Sequence, residues 1–463
     1  MIVIDRLKSP KQGISSMFVL NTEGKQRVDS KLLNDQELEY INREYSDNNR
    51  TFFAFDKLSH WEIVAVVENK DAEYKTIESL RRLGGKVLDF CDKEYIKQLQ
   101  LITSIPKSHV MGFIEGMLLS SYTFDAYKTD PQKCIHPFDK LSVISQEIES
   151  SDIESLLIVA RAVEKCKDLV NEPYCSLNAE GLASAFVNMS HEAGIEVEVW
   201  HKDKIEAEKM GGLLAVNSRP LVLVGKGLVY DTGGLNLKPG DYMNDMKEDM
   251  AGAAMMACAI YAVACLGLPL SVVGLFPSTD NRPCGNAYAS GDIINMYDGT
   301  NVEVVNTDAE GRMILADALS FAKSLSPMLV VDAATLTGAA SRAIGPFGIA
   351  AVEQRAEKYM NLIKQSGNTT YERIAEFPFW EEYDELIKSD IADIKNCGPA
   401  EAGMITAGKF LAHFTDYPYI HLDIAGVAMY STKKDYAGKG ASGYGVRLIV
   451  DFIKSLAKNK DIQ

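Results

Sequence analysis

The sequence predicts an α/β protein with a smaller N-terminal α/β domain and a larger C-terminal α/β/α domain around a mixed central sheet. Strand-like apolar runs alternate with helix-like amphipathic runs along all 463 residues. Apolar residues make up 46% of the chain, enough for two large buried cores. A polar stretch before residue 150 separates the two regions.

The N-terminal domain shows the alternation at "WEIVAVVE", residues 61–68, which predicts a strand, and "DAEYKTIESLRRL", residues 71–83, which predicts a helix. The region ends in the polar stretches 127–140 and 145–152, and a helix is predicted over 152–169. We therefore predict domains 1–150 and 151–463.

The C-terminal domain contains strand-like runs at "LVLVGK" and "PMLVVDAATL". Between them, residues 251–277 carry no charge and are long enough to suggest a membrane span. Gly267 and Pro269 interrupt this segment, so it is predicted as a small-residue helix followed by the strand "SVVGLF". Both elements are expected in a buried core, with no membrane involved.

The net charge of −16, without any block of lysines and arginines, argues against nucleic acid or an anionic membrane as the main partner. Cations remain attractive partners. The eight cysteines include no CxxC pair and mostly lie in apolar runs, which indicates reduced thiols. The apolar run before Asp5 is too short for a signal peptide, so a cytoplasmic location is expected.

The segment "NTDAEGRMILADAL", residues 306–319, places Asp308, Glu310 and Arg312 at alternate positions. In an extended segment these three charges would share one face. Two neighbouring carboxylates are costly unless a cation lies between them, and Gly311 leaves room for a close approach. A metal ion, an ion pair with Arg312 and a solvated surface turn are the three interpretations that remain open.

A second charged cluster lies in residues 221–256, between a predicted buried strand and a predicted buried helix. Lys226, flanked by Gly225 and Gly227, is expected near the end of an interior strand with close neighbours. A buried lysine is either a neutral amine that acts as a metal ligand or base, or the partner of a carboxylate.

Two aspartates flank this lysine in sequence. Asp249 precedes the apolar helix, whose N-terminus favours an anion, and a capping role is the alternative. Asp231 lies five residues after Lys226, so the two side chains converge only if the chain bends. Gly233 and Gly234 permit such a bend.

The seven histidines show no HxxxH or CxxH spacing, so a metal site would have to be built mainly from oxygen ligands. Asp231, Asp249, Asp308 and Glu310 together carry four negative charges, which two divalent ions would balance. Positive groups left beside such a core are suited to stabilising an oxyanion. Lys238 and Arg312 are the candidates.

Taken together, the two segments resemble the leucyl aminopeptidase (cytosol aminopeptidase) family of dinuclear metallopeptidases. The motifs that carry the resemblance are "NTDAEGR", "VGKGLVYDTGGLNLKP" and "MKEDMAG". Agreement continues in "LVNEP", "DAATLTGA", "HLDIAG" and "GASGYGVRLIVDF", and it covers nearly all of residues 165–453. Met313 and a shortened segment after Met210 depart from the family pattern.

The resemblance implies a role for each matching residue. The implied ligands of two divalent ions are Lys226, Asp231, Asp249, Asp308 and Glu310. Lys238 and Arg312 are implied as the catalytic pair, with a bicarbonate ion on Arg312 as general base. The implied substrate-binding residues are Met246, Thr335, Leu336 and Gly338. Zinc is implied at one position and an exchangeable metal at the other, and oxygen-rich ligation also suits Mn²⁺, Mg²⁺ or Co²⁺.

The resulting prediction is a metal-dependent aminopeptidase that releases N-terminal, leucine-like residues from short peptides by a water activated between two metals. The resemblance also implies a homohexamer. A phosphoryl-transfer enzyme is the first rival, but the sequence has no GxxxxGK[ST] or GxGxxG loop around "GKGLVYDTGG". DNA binding, which some bacterial relatives combine with peptidase activity, conflicts with the acidic charge, and a pseudoenzyme conflicts with the complete set of expected residues.

Overall fold

A computed structural model describes residues 2–22, 33–129, 137–201 and 219–459. The chain forms two compact units: Met1–Ala160 with Lys433–Gly438, and Arg161–Thr432 with Lys439–Gln463. The boundary at residue 150 that the sequence suggests falls at the first residue of a long helix and stays a prediction. Residues 202–218, which include most of the shortened segment after Met210, lie outside the described residues.

The first unit is a six-stranded sheet with helices. Its strands are β1 (Val3–Arg6), β2 (Ser15–Thr22), β3 (Phe52–Asp56), β4 (Trp61–Glu68), β5 (Gln98–Ile102) and β6 (Lys140–Ile144). Its helices are α1 (Asp35–Asn48), α2 (Glu73–Lys93), α3 (Lys107–Ser120) and the first half of α4 (Ser150–Asn171). The strand order is β1-β6-β5-β2-β4-β3, with β3 antiparallel to β4 and the other pairs parallel. The predicted strand at 61–68 and the helix after it are confirmed as β4 and α2.

The second unit contains the remaining elements. Its strands are β7 (Leu221–Gly225), β8 (Gly227–Asp231), β9 (Val272–Leu275), β10 (Ser278–Asn281), β11 (Ile293–Asn295), β12 (Asn301–Glu303), β13 (Leu329–Ala334), β14 (Ile349–Gln354), β15 (Ile374–Glu376), β16 (Ile394–Lys395), β17 (Tyr419–Asp423), β18 (Met429–Lys434) and β19 (Gly438–Ala441). Its helices are α5 (Ala179–Ala193), α6 (Ala251–Cys265), α7 (Glu310–Ala322), α8 (Gly338–Ile344), α9 (Glu357–Thr370), α10 (Gly403–His413) and α11 (Val446–Lys458). The tip of the β18–β19 pair groups with the first unit.

A six-stranded mixed sheet of order β15-β14-β17-β13-β7-β9 forms the centre of the second unit. Only β14 and β17 pair antiparallel. Side chains alternate between the two faces of a strand, so Val222 and Val224 share one face, where they pack with Leu315 of α7 and Phe410 of α10. Helix α6 packs on the other face, where a Cβ at Gly225 would lie 2.5 Å from the Cα of Ala253. The predicted α/β/α arrangement with a mixed sheet is confirmed.

Helix α6 is the charge-free element that the sequence places in the core. The segment Met246–Cys265 is long and apolar enough to cross a membrane, but 78% of its most apolar part lies buried inside the protein. Its small side chains allow the backbone of Gly252 to approach Ala333 of β13, where a Cβ would come within 2.0 Å of the carbonyl oxygen. Strand β9 follows, as predicted.

The strand order creates a position for a site at one edge of this sheet. From β7 the chain passes to β9 on one side, whereas β13 pairs with β7 on the other side. The carboxyl ends of β7 and β13 therefore lie on either side of a topological switch point, where the order of strands in the sheet changes direction. In open α/β sheets, ligands bind at such points.

Candidate metal centre

Lys226 lies where the chain leaves the central sheet. Strand β7 ends at Gly225, and β8 begins at Gly227 and pairs with β10 instead. The backbone N–H of Lys226 donates to the carbonyl oxygen of Ala333 at 3.0 Å, which fixes the residue at the end of β13. The expected close neighbours are confirmed, because a Cβ at Gly227 would lie 2.5 Å from the Oγ of Ser278.

This break supplies the bend that brings Asp231 near Lys226. The predicted turn at Gly233 and Gly234 is also present, with φ values of 86° and 64°. The N–H of Gly233 donates to Asp231 Oδ1 at 2.9 Å, which orients the carboxylate. The convergence of Lys226 and Asp231 therefore depends on a change of sheet at Lys226 as well as on the glycine turn.

The segment that begins at Asn306 differs from the sequence expectation. It is not extended: Asp308 lies in a turn, and Glu310 and Arg312 lie in the first turn of α7. Two residues along a helix are about 200° apart, so Glu310 and Arg312 point in nearly opposite directions. The expectation that all three charges share one face was wrong, because a helix replaces the extended segment.

Thr307 joins the two sequence segments. Its hydroxyl donates to the carbonyl oxygen of Gly233 at 2.7 Å and accepts from the backbone N–H of Asn236 at 2.8 Å. The turn after β8 and the turn before α7 are thereby held against each other. The acidic residues of both segments consequently lie in one cluster.

The first half of this cluster surrounds the Lys226 ammonium. Its Nζ lies 2.7 Å from Asp249 Oδ2 and 3.1 Å from Glu310 Oε1. Lys226 and Asp249 are only 2% and 4% exposed. Burial by itself lowers the pKa of this ammonium, but the charges of Asp249 and Glu310 outweigh burial and raise it above its usual range. In this structure Lys226 is therefore paired with two carboxylates.

Asp249 does not cap α6. It lies in a single 3-10 turn, Met246–Met250, that precedes the helix, and no side chain of the described residues caps the helix start. Besides Lys226, its carboxylate accepts a hydrogen bond from the Thr335 hydroxyl at 2.8 Å. Its place is therefore inside the cluster.

The second half of the cluster surrounds Lys238. Its Nζ lies 2.6 Å from Asp231 Oδ2 and 2.6 Å from Asp308 Oδ1. Asn281 links this half to the first, because its Nδ2 lies 2.9 Å from Asp231 Oδ1 and 3.4 Å from Glu310 Oε2. Asn281 is a site residue that was not predicted from the sequence. The sequence does contain one signal for this residue, because Asn281 is a polar residue at the end of β10, which follows the apolar strand β9.

Charge and ligand chemistry both fit a divalent cation. One oxygen each from Asp231, Asp308 and Glu310 lie within 4.8 Å of one another. Oxygens bound to one hard cation at about 2.0 to 2.6 Å have separations of this size. With Asp249 there are four carboxylates against the two ammonium groups, which leaves two excess negative charges in a largely buried site.

The excess charge appears in the carboxylate pKa values. Burial, with the charges of Glu310 and Asp231, raises the pKa of Asp249 to about 7, although Lys226 opposes the shift. Burial also raises the pKa of Asp308, against the effect of Lys238. Carboxylates that are hard to ionise together are stabilised by an added cation. The donor set therefore fits the predicted metals.

The side chain of Arg312 lies in a different environment from the carboxylates of the cluster. It is buried, its Nη1 donates to the carbonyl oxygen of Asn396 at 2.8 Å, and its Nε has no hydrogen-bond partner among the described residues. Asn396 in turn accepts at Oδ1 from the backbone N–H of Val305 at 2.8 Å. The guanidinium thus braces the loop before α7 and keeps an unpaired donor, as an anion-binding role requires.

Three of the four predicted substrate residues follow β13. Thr335 contacts the cluster through its hydroxyl and through its carbonyl oxygen, which accepts from Lys226 at 3.3 Å. The N–H of Leu336 donates to Asp423 at the end of β17, at 3.2 Å. Gly338 begins α8, whereas Met246 opens the turn that carries Asp249. The sequence analysis missed the supporting role of Asp423.

Gly311 provides a test of this packing. A Cβ at this position would lie 2.3 Å from Cε and 2.6 Å from Nζ of Lys226. We expect Gly311→Ala to displace the lysine from its carboxylates and to lower the free energy of unfolding by about 1–3 kcal/mol, measured by urea denaturation. Gly285→Ala, where a Cβ would meet nothing within 4 Å, is the matched control. A Gly311→Ala protein as stable as the wild type would show that the two residues do not pack as described.

The fold and the cluster together define an α/β protein with an oxygen-rich site suited to divalent cations. Residues 217–450 match the catalytic domain of the cytosol aminopeptidase family. The chain is 37% identical over 412 residues to a probable cytosol aminopeptidase of Geobacter sulfurreducens, covering 83% of each chain. It is 42% identical over 377 residues to one of Chlorobium limicola, covering 74% of each. The chain belongs to the cytosol aminopeptidase family, which confirms the resemblance.

Solved structures agree with this assignment. The bottromycin maturation enzyme BotP is similar with a TM-score of 0.82 and 26% identity, covering 96% of this chain and 100% of its own. The same enzyme in complex with Mn gives a TM-score of 0.81 and 26% identity. Both similarities extend over nearly the whole chain, so the two-unit α/β architecture is shared.

Proposed function

We propose that this protein is a metal-dependent aminopeptidase that releases N-terminal residues, with leucine-like residues preferred, from short peptides. The observation that carries the proposal is the cluster of the buried Asp231 and Glu310 with the partly exposed Asp308, with two lysines among the carboxylates, in a chain of the cytosol aminopeptidase family. A cytoplasmic location and a homohexamer belong to the same proposal and rest on the resemblance.

The proposed ligands of two divalent ions are Lys226, Asp231, Asp249, Asp308 and Glu310. Zn²⁺ and Mn²⁺ are the first candidates, and Mg²⁺ or Co²⁺ also suit the oxygen ligands. The manganese in the BotP complex supports Mn²⁺. When bound, the ions would polarise a peptide carbonyl and lower the pKa of a water molecule. They would also take over the neutralisation of the carboxylates, which the two ammonium groups provide in the structure.

The proposed metal site explains why the enzyme would act at a free N-terminus. An unprotonated α-amine would be a ligand for one of the ions that the carboxylates hold. An acetylated N-terminus lacks such an amine. An internal peptide bond lacks it as well, so cleavage would be restricted to the first residue.

Lys238 is the group proposed to stabilise the negative charge that develops on the peptide carbonyl oxygen. Its ammonium lies between Asp231 and Asp308 at the edge of the cluster, and the charges of both carboxylates keep its pKa above the usual range despite burial. It therefore stays a cation and can donate to the carbonyl oxygen as negative charge develops there. Arg312 is the proposed holder of a bicarbonate ion that acts as general base, supported by its buried, unpaired Nε.

Leu336 is proposed to bind the peptide backbone through its carbonyl oxygen. Its N–H is occupied by Asp423, whereas no hydrogen bond to its carbonyl oxygen is present within the described residues. This oxygen can accept from a substrate N–H. Thr335, Gly338 and Met246 are proposed to line the pocket for the first side chain.

The test compares hydrolysis of Leu-p-nitroanilide and N-acetyl-Leu-p-nitroanilide by metal-stripped protein titrated with Mn²⁺ and Zn²⁺. We expect metal-dependent cleavage of the free amine alone, because only that substrate offers an amine that a bound ion can accept as a ligand. Equal cleavage of both compounds would contradict the exopeptidase assignment. Inactivity with every metal, despite two ions bound per chain, would contradict the peptidase assignment itself.

A further inference from the structure

Arg342 lies beside Gly338, one of the proposed substrate-binding residues. It has no part in the roles described above. It lies one helical turn after Gly338 in α8, so the two residues share a face of the helix. Helical side chains point back toward the N-terminus of the helix. Accordingly, Nη1 of Arg342 lies 3.1 Å from the position that a Cβ on Gly338 would take. The guanidinium thus covers the start of α8, where the substrate segment ends.

Gly338, which Arg342 covers, is close in sequence to the acidic cluster. Thr335, three residues before Gly338, contacts Lys226 and Asp249 directly. Three residues span at most about 11 Å. That distance is comparable to the length of a tripeptide. A peptide whose N-terminus lies at the cluster, and whose chain runs along this segment, would place a carboxylate within reach of Arg342.

Arg342 also lacks a counter-charge. It is exposed, and within the described residues no carboxylate forms an ion pair with it. Other arginines of the second unit do have such partners: Arg282 pairs with Asp280, and Arg447 pairs with Glu372. An unpaired guanidinium over Gly338 offers a planar, charged donor for a carboxylate of the ligand.

We propose that Arg342 is a specificity-determining residue that binds a carboxylate of the peptide substrate. The inference rests on the proposed aminopeptidase function and extends its substrate range beyond leucine-like residues. The carboxylate comes from an acidic first side chain or from the C-terminus of a dipeptide. Both sources present the same group to the guanidinium.

The test measures kcat/KM for two pairs of substrates that differ only in charge. Glu-p-nitroanilide and Gln-p-nitroanilide report on the first side chain, and Leu-Ala and Leu-Ala-amide report on the dipeptide C-terminus. We expect Arg342→Gln to lower the carboxylate-to-amide ratio about tenfold in at least one pair, as is typical for losing a charged hydrogen bond. Arg342→Lys, which keeps the charge but not the planar fork, should retain part of the ratio.

Arg219→Gln is the matched control. Arg219 is also exposed, but it precedes β7 and so lies at the opposite end of that strand from Lys226. Its variant should show the wild-type ratio in both pairs. Ratios for Arg342→Gln equal to the wild type in both pairs would overturn the proposal. Wild-type protein that cleaves none of these substrates, nor Leu-p-nitroanilide, would instead refute the aminopeptidase function on which it rests.

Discussion

Lys238→Ala should lower turnover by about 10²- to 10³-fold while the protein keeps its bound metal. The expected loss is that of a preorganised donor aimed at the oxygen on which negative charge develops. In the structure Lys238 contributes a charge to the cluster but no carboxylate ligand. Its removal therefore leaves every proposed oxygen ligand in place and increases the excess negative charge. Metal affinity should not fall.

The measurements are kcat with Leu-p-nitroanilide and metal content after dialysis. Lys238→Met preserves most of the side-chain volume without the charge, so it separates the electrostatic effect from a packing effect. Lys388→Ala, at an exposed lysine in the same unit, should retain wild-type turnover. Loss of both metals from the Lys238 variants would contradict the separation of roles. A decrease in kcat of less than twofold would contradict the role of Lys238 in catalysis.

The sequence predicts those parts of the fold that follow from local patterns. The apolar run before Lys226 and the small residues of α6 indicate buried elements wherever they occur in a chain. The glycines beside charged residues were equally informative about close packing. Gly225 and Gly311 both have neighbours that leave no room for a Cβ. Each of these predictions depends on residues that are close in sequence.

Other features depend on residues that are distant in sequence. Whether Asp308 to Arg312 is extended or helical is decided by the packing of α7 on the sheet, and alternate spacing alone pointed to the wrong geometry. Asn281 gains its role by lying between Asp231, 50 residues away, and Glu310, 29 residues away. Its position at the end of a strand marks it as a candidate, but no local pattern reveals these two partners.

The interpretation of Lys226 shows the same limit in electrostatic terms. The sequence indicated burial, and burial alone would favour a neutral amine. The outcome depends on which charges face the group, and Asp249 and Glu310 come from separate segments of the chain. The charge state of a buried lysine therefore follows from the assembled site rather than from the hydropathy of its own strand.

Asp231→Asn should abolish most of the thermal stabilisation that metal gives the wild-type protein. Metal at about 100 times its Kd stabilises a folded protein by roughly 2.7 kcal/mol. This corresponds to a rise in Tm of about 4 °C for a unit of this size. Asp231 shares a group of oxygens within 4.8 Å of one another with Asp308 and Glu310, and asparagine keeps its shape without the charge. We expect the shift to fall to about 1 °C or less.

The measurement is the difference in Tm between metal-loaded and metal-stripped samples of the same variant, so any effect of the substitution on folding cancels. Asp390→Asn, at an exposed aspartate of the same unit, should show the wild-type shift. An Asp231→Asn protein with the wild-type shift would contradict the ligand assignment even if its activity were lost. Together the two variants separate binding from catalysis. Lys238→Ala should keep the metal-dependent shift and lose turnover, whereas Asp231→Asn should lose both because turnover depends on the bound ions.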